Sequence, residues 1–157
     1  MNITLLVIGK TDASYIQEGM DIYIKRLKHY VNFSVEVIPD IRKGKNTSEE
    51  LQKIKEGEII LSKLAAGKEM HLFDERGKSF SSKEFARFIE QKMLNSVKEL
   101  IFVIGGPYGF SEEVYQKAHS KISLSKLTFS HQMVRLLCVE QIYRAFTILK
   151  GEPYHHE

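Results

Sequence analysis

A glycine-rich turn is the first feature of the sequence that could hold a ligand. The apolar run ELIFVI ends in Gly105 and Gly106, and Pro107 and Gly109 follow before an acidic segment begins. Glycines allow positive φ angles and let backbone amides approach a ligand closely, whereas proline stiffens the turn. This composition predicts a binding site built from backbone, and a tight turn that binds nothing is the structural alternative.

The residues after the turn argue against an anionic ligand. A phosphate loop of the nucleotide-hydrolase kind needs Lys-Ser or Lys-Thr after its glycines, but this turn continues into Phe110 and Ser111. A dinucleotide fingerprint would follow the first strand, where GKTDAS contains only one glycine. Glu112 and Glu113 then open a helix whose positive end they complement, so they discourage an anion there. The turn therefore favours a neutral or cationic ligand.

A long apolar helix near the end of the sequence carries few polar residues, and two of them form a second candidate cluster. Glu140 precedes Arg144 by four residues, the orientation that favours a helical ion pair of about 0.2–0.5 kcal/mol, and such a pair is the structural explanation for both. Cys138 lies in the same pattern without an adjacent base, so it is not expected to be a nucleophile. The sequence closes with PYHHE, for which a frayed terminus or a tag remnant is the structural alternative.

The elements that must position these residues alternate between strand and helix. Five strands are predicted in ITLLVIG, FSVEVI, MHLF, ELIFVIGG and the start of KISLSKLTF, which leads into a loop. Five helices are predicted in YIQEGMDIYIKRLKHY, from Thr47 or Ser48 to about Ala66, and in SSKEFARFIEQKM, SEEVYQKAH and MVRLLCVEQIYRAFTILK. Apolar strands separated by helices imply an α/β fold, with a mostly parallel sheet and helices on both faces. Ligands of such sheets collect beyond the carboxyl ends of strands, where the glycine turn lies.

Length and composition limit the class of protein. The chain has 157 residues, 43% of them hydrophobic, which predicts one domain over residues 1–157 with a single core. A single cysteine excludes an internal disulfide and gives no metal-binding spacing. The start MNITLLVIGK has no basic leader and a short apolar run, so we expect a cytoplasmic protein without a membrane span. The net charge of +3 permits an acidic partner such as RNA without requiring one.

Three motifs, in this order and at matching spacing, resemble one enzyme family. VIGGPYG, LSKLTFSH with VEQIYRAF, and the terminal PYHHE closely resemble the ribosomal RNA large subunit methyltransferase H family, and the resemblance covers essentially the full chain. These are small SPOUT-class enzymes that use S-adenosylmethionine to methylate N3 of a pseudouridine in 23S rRNA. The resemblance implies a homodimer that acts on large-subunit rRNA or the assembled ribosome. It also implies a C-terminal trefoil knot, which periodicity cannot reveal.

The resemblance further implies which residues bind the cofactor. Backbone segments would wrap the bent S-adenosylmethionine, whose sulfonium cation is compatible with the acidic turn. The implied residues are Phe73, Gly105, Gly106, Leu124, Ser125, Lys126, Leu127, Thr128 and Phe129. The family often has leucine in place of Phe73, which would alter adenine packing without removing the pocket. No metal is expected, since the sequence offers no carboxylate cluster.

The remaining implied roles concern the acceptor base. N3 of pseudouridine carries a proton and is a poor nucleophile until that proton leaves, so a positioned base or strong stabilisation of the anion is needed. An unperturbed histidine titrates near neutrality, which makes His155 the expected base, while Tyr154 would stack on the pseudouridine or bond its carbonyl. Arg144 would grip the RNA, and Glu140 would orient Arg144 at the subunit boundary. We expect the tail to complete the active site of the other subunit. His156 replaces the family's usual Arg or Lys, which puts one phosphate contact in doubt.

Two basic segments are candidates for RNA binding. They contain Lys25, Arg26 and Lys28, and Arg42, Lys43 and Lys45. A solvated charged face is the structural alternative for both segments. This alternative explains the second segment less well, because packing accounts poorly for a glycine-containing basic loop. These side chains would position phosphates rather than distinguish bases.

Two other functions stay open at this point. A non-enzymatic ribosome-associated factor would retain the fold, but the intact cofactor-loop residues argue against it. A SPOUT methyltransferase that acts on tRNA is disfavoured by the small size of the chain, which has no appended RNA-binding domain.

Overall fold

The computed structural model describes residues 1–41, 44 and 46–156, and its elements alternate as predicted. The strands are β1 (Asn2–Ile8), β2 (Asn32–Ile38), β3 (Lys68–Ser79), β4 (Glu99–Ile104) and β5 (Ser120–Ser123). The helices are α1 (Ser14–Leu27), α2 (Glu49–Ser62), α3 (Ser82–Leu94), α4 (Glu112–Lys117) and α5 (Met133–Leu149). The predicted order of strands and helices is confirmed.

The five strands form one parallel sheet in the order β2-β1-β4-β3-β5, which confirms the predicted α/β class. β1 is an interior strand that pairs with β2 on one side and β4 on the other. Its Leu5 lies opposite Val35 of β2 and Phe102 of β4. β4, β3 and β5 are neighbours, so the segments that follow their carboxyl ends meet at one edge of the sheet. This edge is where ligands bind in open parallel sheets.

Helices cover both faces of the sheet, as the continuously apolar strands require. Leu5 and Val7 of β1 join the core beneath α1, α3 and α5, whereas Leu6 and Ile8 join the core beneath α2 and α4. Successive side chains of a strand point to opposite faces, so a strand buried on both sides is apolar at every position. The helix α5 packs between α1 and α3 and has few polar residues for that reason.

β3 is longer than MHLF because the polar segment DERGKS continues the strand. Its pairing with β5 shifts between Phe73 and Lys78, which marks a bulge. Gly77 permits this pairing, since a Cβ atom there would lie 2.6 Å from the backbone nitrogen of Ile122.

One predicted boundary differs in the opposite sense, because α2 ends at Ser62 rather than near Ala66. The strand predicted at the start of KISLSKLTF is β5, and a loop follows Ser123 as predicted. Ser48 is the N-cap of α2, and its hydroxyl accepts a hydrogen bond from the amide of Leu51.

Candidate active site

The glycine turn follows β4 and is closed by its own backbone. The amide of Gly109 donates to the carbonyl of Gly106 at 3.1 Å, and the φ angle of Gly109 is +79°, a conformation that favours glycine. A Cβ atom on Gly105 would lie 3.0 Å from the ring of Phe110. The turn therefore has little room for side chains behind it, and its backbone is left open on the other side.

A cavity of about 700 Å³ lies against that open side. Three chain segments form most of its lining, namely the middle of β3, the glycine turn, and the loop between β5 and α5, and α2 contributes Glu50 and Lys53. All residues predicted to bind the cofactor line it except Lys126, namely Phe73, Gly105, Gly106, Leu124, Ser125, Leu127, Thr128 and Phe129. The structure thus gathers residues that are up to 56 positions apart in the sequence, from Phe73 to Phe129.

Carboxylates dominate the charged part of this lining. Glu50, Asp74, Glu75 and Glu112 line the cavity, together with the cations Lys53 and Arg76. Thr128 ties its loop to the middle of β3 by donating to Glu75 at 2.9 Å. This arrangement suits a ligand with a positive charge.

Asp74 is held in its ionised form at the rim of the cavity. Its side chain is 9% exposed and accepts hydrogen bonds from the Tyr115 hydroxyl and, at 2.9 Å, from the Arg76 amide. Burial opposes ionisation of this carboxyl, but the hydrogen bonds and the Arg76 charge outweigh it and lower the pKa of Asp74. The negative charge is therefore fixed before any ligand arrives.

The loop between β5 and α5 is anchored by Arg135, a residue that the sequence prediction missed. The side chain is 1% exposed, and its guanidinium donates to the carbonyls of Ile8 at 2.6 Å, Gly9 at 2.8 Å and His131 at 3.1 Å. Ile8 and Gly9 end β1, whereas His131 lines the cavity. The signal in the sequence was a lone cation in the otherwise apolar run MVRLLCV.

Glu56 is the second missed residue, and it lies behind the glycine turn. A Cβ atom on Gly106 would be 3.0 Å from one carboxylate oxygen of Glu56 and 3.2 Å from the other. A side chain at position 106 would therefore press on Glu56 rather than fill the cavity directly. The charge of Glu56 on an inward-facing helix position was the available signal.

The residues predicted to be catalytic lie together in a second cluster. Glu140 Oε1 accepts hydrogen bonds from Arg144 Nη2 at 2.6 Å and from the Tyr154 hydroxyl at 2.8 Å. Arg144 lies over the ring of Tyr154, with 4.7 Å between guanidinium carbon and ring centroid, and its Nη1 is 3.3 Å from His155 Nδ1. The helical ion pair predicted for Glu140 and Arg144 exists and contacts the tail, whereas the role of Arg144 in RNA binding stays a prediction.

The surroundings of this cluster fix the protonation states of Arg144 and Tyr154. Burial opposes the charge of Arg144, but the hydrogen bond and charge of Glu140 outweigh it and raise the pKa of Arg144. Burial, hydrogen bonds to Tyr23 and Glu140, and the Glu140 charge raise the pKa of Tyr154, so this hydroxyl stays protonated and donates.

The cluster and the cavity are separate within one chain. None of Glu140, Arg144, Tyr154 and His155 is among the described residues that line the cavity. The last lining residue of α5 is Val134, six positions before Glu140, which corresponds to about 9 Å along the helix axis.

Of the residues predicted to bind RNA, Lys25 and Arg26 are exposed on α1, and Lys28 is exposed at its C-cap. The Arg26 guanidinium lies 5.5 Å from the ring centroid of Tyr23 and 5.7 Å from that of Tyr143, so it also packs against α5. The predicted contacts Arg42, Lys43 and Lys45 lie outside the described residues.

Two findings restrict other kinds of site. Across residues 1–41, 44 and 46–156, no group of three or more His, Cys, Asp or Glu side chains is arranged to hold a metal ion. Within the same ranges, no helix has the length and apolar character needed to cross a membrane.

Comparison with known proteins places the whole chain among methyltransferases. Residues 1–155 match the family described as "Predicted SPOUT methyltransferase". Proteins named "Ribosomal RNA large subunit methyltransferase H" from Flavobacterium johnsoniae and Parabacteroides distasonis are each 59% identical to it over 157 residues, which is the full length of both chains compared. A protein of that name from Bacteroides fragilis is 54% identical over the same length.

Proposed function

Because the chain belongs to the SPOUT methyltransferase family, we propose that it transfers a methyl group from S-adenosylmethionine to N3 of a pseudouridine in large-subunit ribosomal RNA. The relatives' shared name identifies an rRNA methyltransferase, and the finer choice of nucleotide rests on the motifs described above. We extend the proposal to the assembled ribosome as substrate and the cytoplasm as location. Family membership also implies the C-terminal trefoil knot.

The observation that carries this proposal is the convergence of three segments on one cavity. The cavity volume of about 700 Å³ accommodates a nucleoside joined to an amino acid, and its walls offer the backbone of Gly105 and Gly106 and the ring of Phe73. Its carboxylates match the positive charge of a sulfonium. The residues present therefore fit S-adenosylmethionine, which when bound supplies an electrophilic methyl group.

The second cluster supplies the groups that the acceptor base needs. Arg144 is a fixed cation that would hold the RNA and favour the N3 anion, and Glu140 keeps its guanidinium oriented. The ring of Tyr154 would stack on the acceptor base, since its single hydroxyl proton is already donated to Glu140. His155 would accept the N3 proton, which leaves N3 as a nucleophilic anion beside Arg144.

The position of the tail supports catalysis across a subunit boundary. An arginine only donates, so His155 Nδ1 accepts from Arg144 Nη1 and the ring proton of the neutral form is on Nε2. His155 must leave this contact before Nδ1 is free to take a proton. In addition, the cluster is about 9 Å from its own chain's cavity along α5. Both observations favour a cluster that acts on the cavity of a second copy.

Exposed apolar residues on α1 support a homodimer. Tyr15 and Ile22 are 64% and 53% exposed and lie two helical turns apart, so they form one stripe. On the same helix Gly19 packs tightly against Leu136 of α5, which is itself only half-buried. A second copy that covers α1 and α5 would bury this apolar surface.

The proposal is tested by supplying purified protein with S-adenosylmethionine and, separately, 70S ribosomes, 50S subunits, naked rRNA and tRNA. We expect methylated pseudouridine in digests of ribosomal RNA, and none in tRNA, when nucleosides are analysed by mass spectrometry. Ribosomes from cells that lack the protein should lose the same nucleoside. Methylation of tRNA alone, or no binding of S-adenosylmethionine by calorimetry, would overturn the proposal.

A further inference from the structure

A buried carboxylate lies against the back of the cofactor cavity. Glu56 of α2 is 4% exposed, and both of its oxygens are within 3.2 Å of the position that a Cβ atom on Gly106 would occupy. Gly106 lines the cavity, and Glu56 does not. The carboxylate is therefore shielded from solvent and separated from a bound ligand by a single residue that has no side chain.

The described residues around Glu56 supply no opposite charge. Its hydrogen-bond partner is the neutral amide of Gln52, whose Nε2 donates at 3.1 Å. Asp40 acts on it with a charge of the same sign, and the uncharged Ser111, the N-cap of α4, and Val114 face the adjacent Gly57. Among the described residues, no lysine, arginine or histidine forms an ion pair with Glu56.

An ionised carboxylate in such a place is costly unless a cation approaches it. Burial and the Asp40 charge raise the pKa of Glu56, while the Gln52 amide opposes the shift. A sulfonium in the neighbouring cavity would supply the missing positive charge. After methyl transfer that charge is gone, because the sulfur of S-adenosylhomocysteine is a neutral thioether.

We propose that Glu56 lets the site distinguish the cofactor from its product by charge. Binding of S-adenosylmethionine favours the ionised form of Glu56, so a proton held there passes to solvent and the carboxylate attracts the sulfonium. When the sulfonium becomes a thioether, this bias toward the ionised form is lost and the attraction ends, which favours product release. This inference rests on the proposed use of S-adenosylmethionine.

Linkage sets the size of the effect. The factor by which the sulfonium favours the ionised form equals the factor by which ionisation of Glu56 tightens cofactor binding. A shift of one pKa unit corresponds to about tenfold in affinity. We therefore expect Glu56 to contribute about tenfold to the preference for S-adenosylmethionine over S-adenosylhomocysteine.

Isothermal titration calorimetry tests this in buffers of different ionisation enthalpy between pH 5 and 8. Wild-type protein should release up to one proton when it binds S-adenosylmethionine and a smaller number when it binds S-adenosylhomocysteine. Glu56→Gln should remove that difference and weaken S-adenosylmethionine about tenfold, with the affinity for S-adenosylhomocysteine unchanged. Glu58→Gln makes the same charge change at an exposed position of α2 and should bind like wild type.

The outcomes separate this inference from the proposed function. If neither compound binds, the proposed function fails. If both bind and release the same number of protons, Glu56 has no such role, whatever the activity of the enzyme. The wild-type measurement needs no variant to fold, and the neutral glutamine matches the shape of a protonated glutamate.

Discussion

Oε1 of Glu140 accepts a hydrogen bond from the Tyr154 hydroxyl at 2.8 Å and another from Arg144 Nη2 at 2.6 Å. One carboxylate oxygen thus orients both the cation of α5 and the phenol of the tail. A cationic donor and a neutral donor that share one acceptor hold each other's side chains in place more tightly than either contact would alone. Glu140 therefore acts as the positioning residue of the cluster.

Replacing Glu140 by glutamine should lower the rate of methylation by about 10²-fold. The Arg144 guanidinium would lose its charged acceptor and would no longer be held in position. Calorimetry should show unchanged affinity for S-adenosylmethionine, since the residue does not line the cavity. Glu113→Gln is a matched control, because Glu113 forms an exposed pair with Lys117 at the same spacing on α4. Equal losses in both variants would contradict the assigned role.

Arg135→Lys should loosen the loop between β5 and α5. A lysine cannot reach both β1 and His131 with the same donors, so buried carbonyls would lose partners at about 1–3 kcal/mol each. We expect weaker cofactor binding and faster hydrogen exchange of amides between residues 124 and 131, with exchange in α2 unchanged. Gln132→Ala, which removes a neighbouring contact to Lys10, should have a smaller effect. Unchanged exchange in the loop would show that Arg135 only stabilises the fold.

His71 should make the stability of the protein depend on pH. Burial beside Lys92 lowers its pKa from 6.5 to about 4, although Glu69 opposes the shift. The unfolded chain binds a proton below pH 6.5, and the folded chain does so only near pH 4, so stability is full above pH 6.5 and falls between these values. The loss should reach about 3 kcal/mol.

The check is denaturant unfolding across pH 7 to 4 for wild type and for His71→Asn. The difference between their pH slopes isolates this histidine from carboxylates, such as Glu69, that titrate in the same range. His29→Asn replaces an exposed histidine and should retain the wild-type slope. Parallel curves for His71→Asn and wild type would refute the assignment.

The local parts of this structure were predictable from sequence, and the long-range parts were not. The apolar runs and helical spacing gave every strand and helix, since those patterns depend on neighbouring residues. The extension of β3 through DERGKS was missed because its pairing depends on Gly77 lying against β5. The strand order depends on how each helix crosses the sheet, which no local pattern encodes.

The candidate site divides in the same way. The glycine turn was visible as composition, but Glu56 and Arg135 were not, because a charge in a helix is usually solvated. Only the fold shows that one lies behind Gly106 and the other reaches the end of β1. The assignment of Tyr154 and His155 came from family resemblance, and the structure adds their contacts with Glu140 and Arg144.

RNA binding should depend on salt through the basic segments. Alanine at Lys25 or Lys28, or at each of Arg42, Lys43 and Lys45, should weaken RNA binding and lower the slope of log affinity against log salt by about 1 per phosphate contact. The methylated nucleotide should not change. Lys117→Ala is the control for Lys25 and Lys28, since α4 and α1 cover different faces of the sheet. An unchanged slope for the combined Arg42, Lys43 and Lys45 variant would exclude that segment.

Finally, removal of residues 154–157 should separate binding from chemistry. Tyr154 and His155 contact α5 at Glu140 and Arg144 rather than the cavity, so cofactor affinity and dimerisation should be nearly unchanged. Methylation should fall by about 10²–10⁴-fold if only the contribution of a general base is lost. Gel filtration, calorimetry and a methylation assay on ribosomes measure the three properties.

A mixed dimer then decides whether the tail works across the subunit boundary. One subunit lacks residues 154–157, and the other carries a bulky residue in the cavity, such as Ser125→Trp, that prevents cofactor binding. The hybrid joins an intact cavity from the first subunit to an intact tail from the second, so it should recover up to half of wild-type activity per dimer. Each parent dimer should be inactive. A purified hybrid that stays as inactive as its parents would place the tail's action within its own chain, because no cavity and tail of the same chain are both intact.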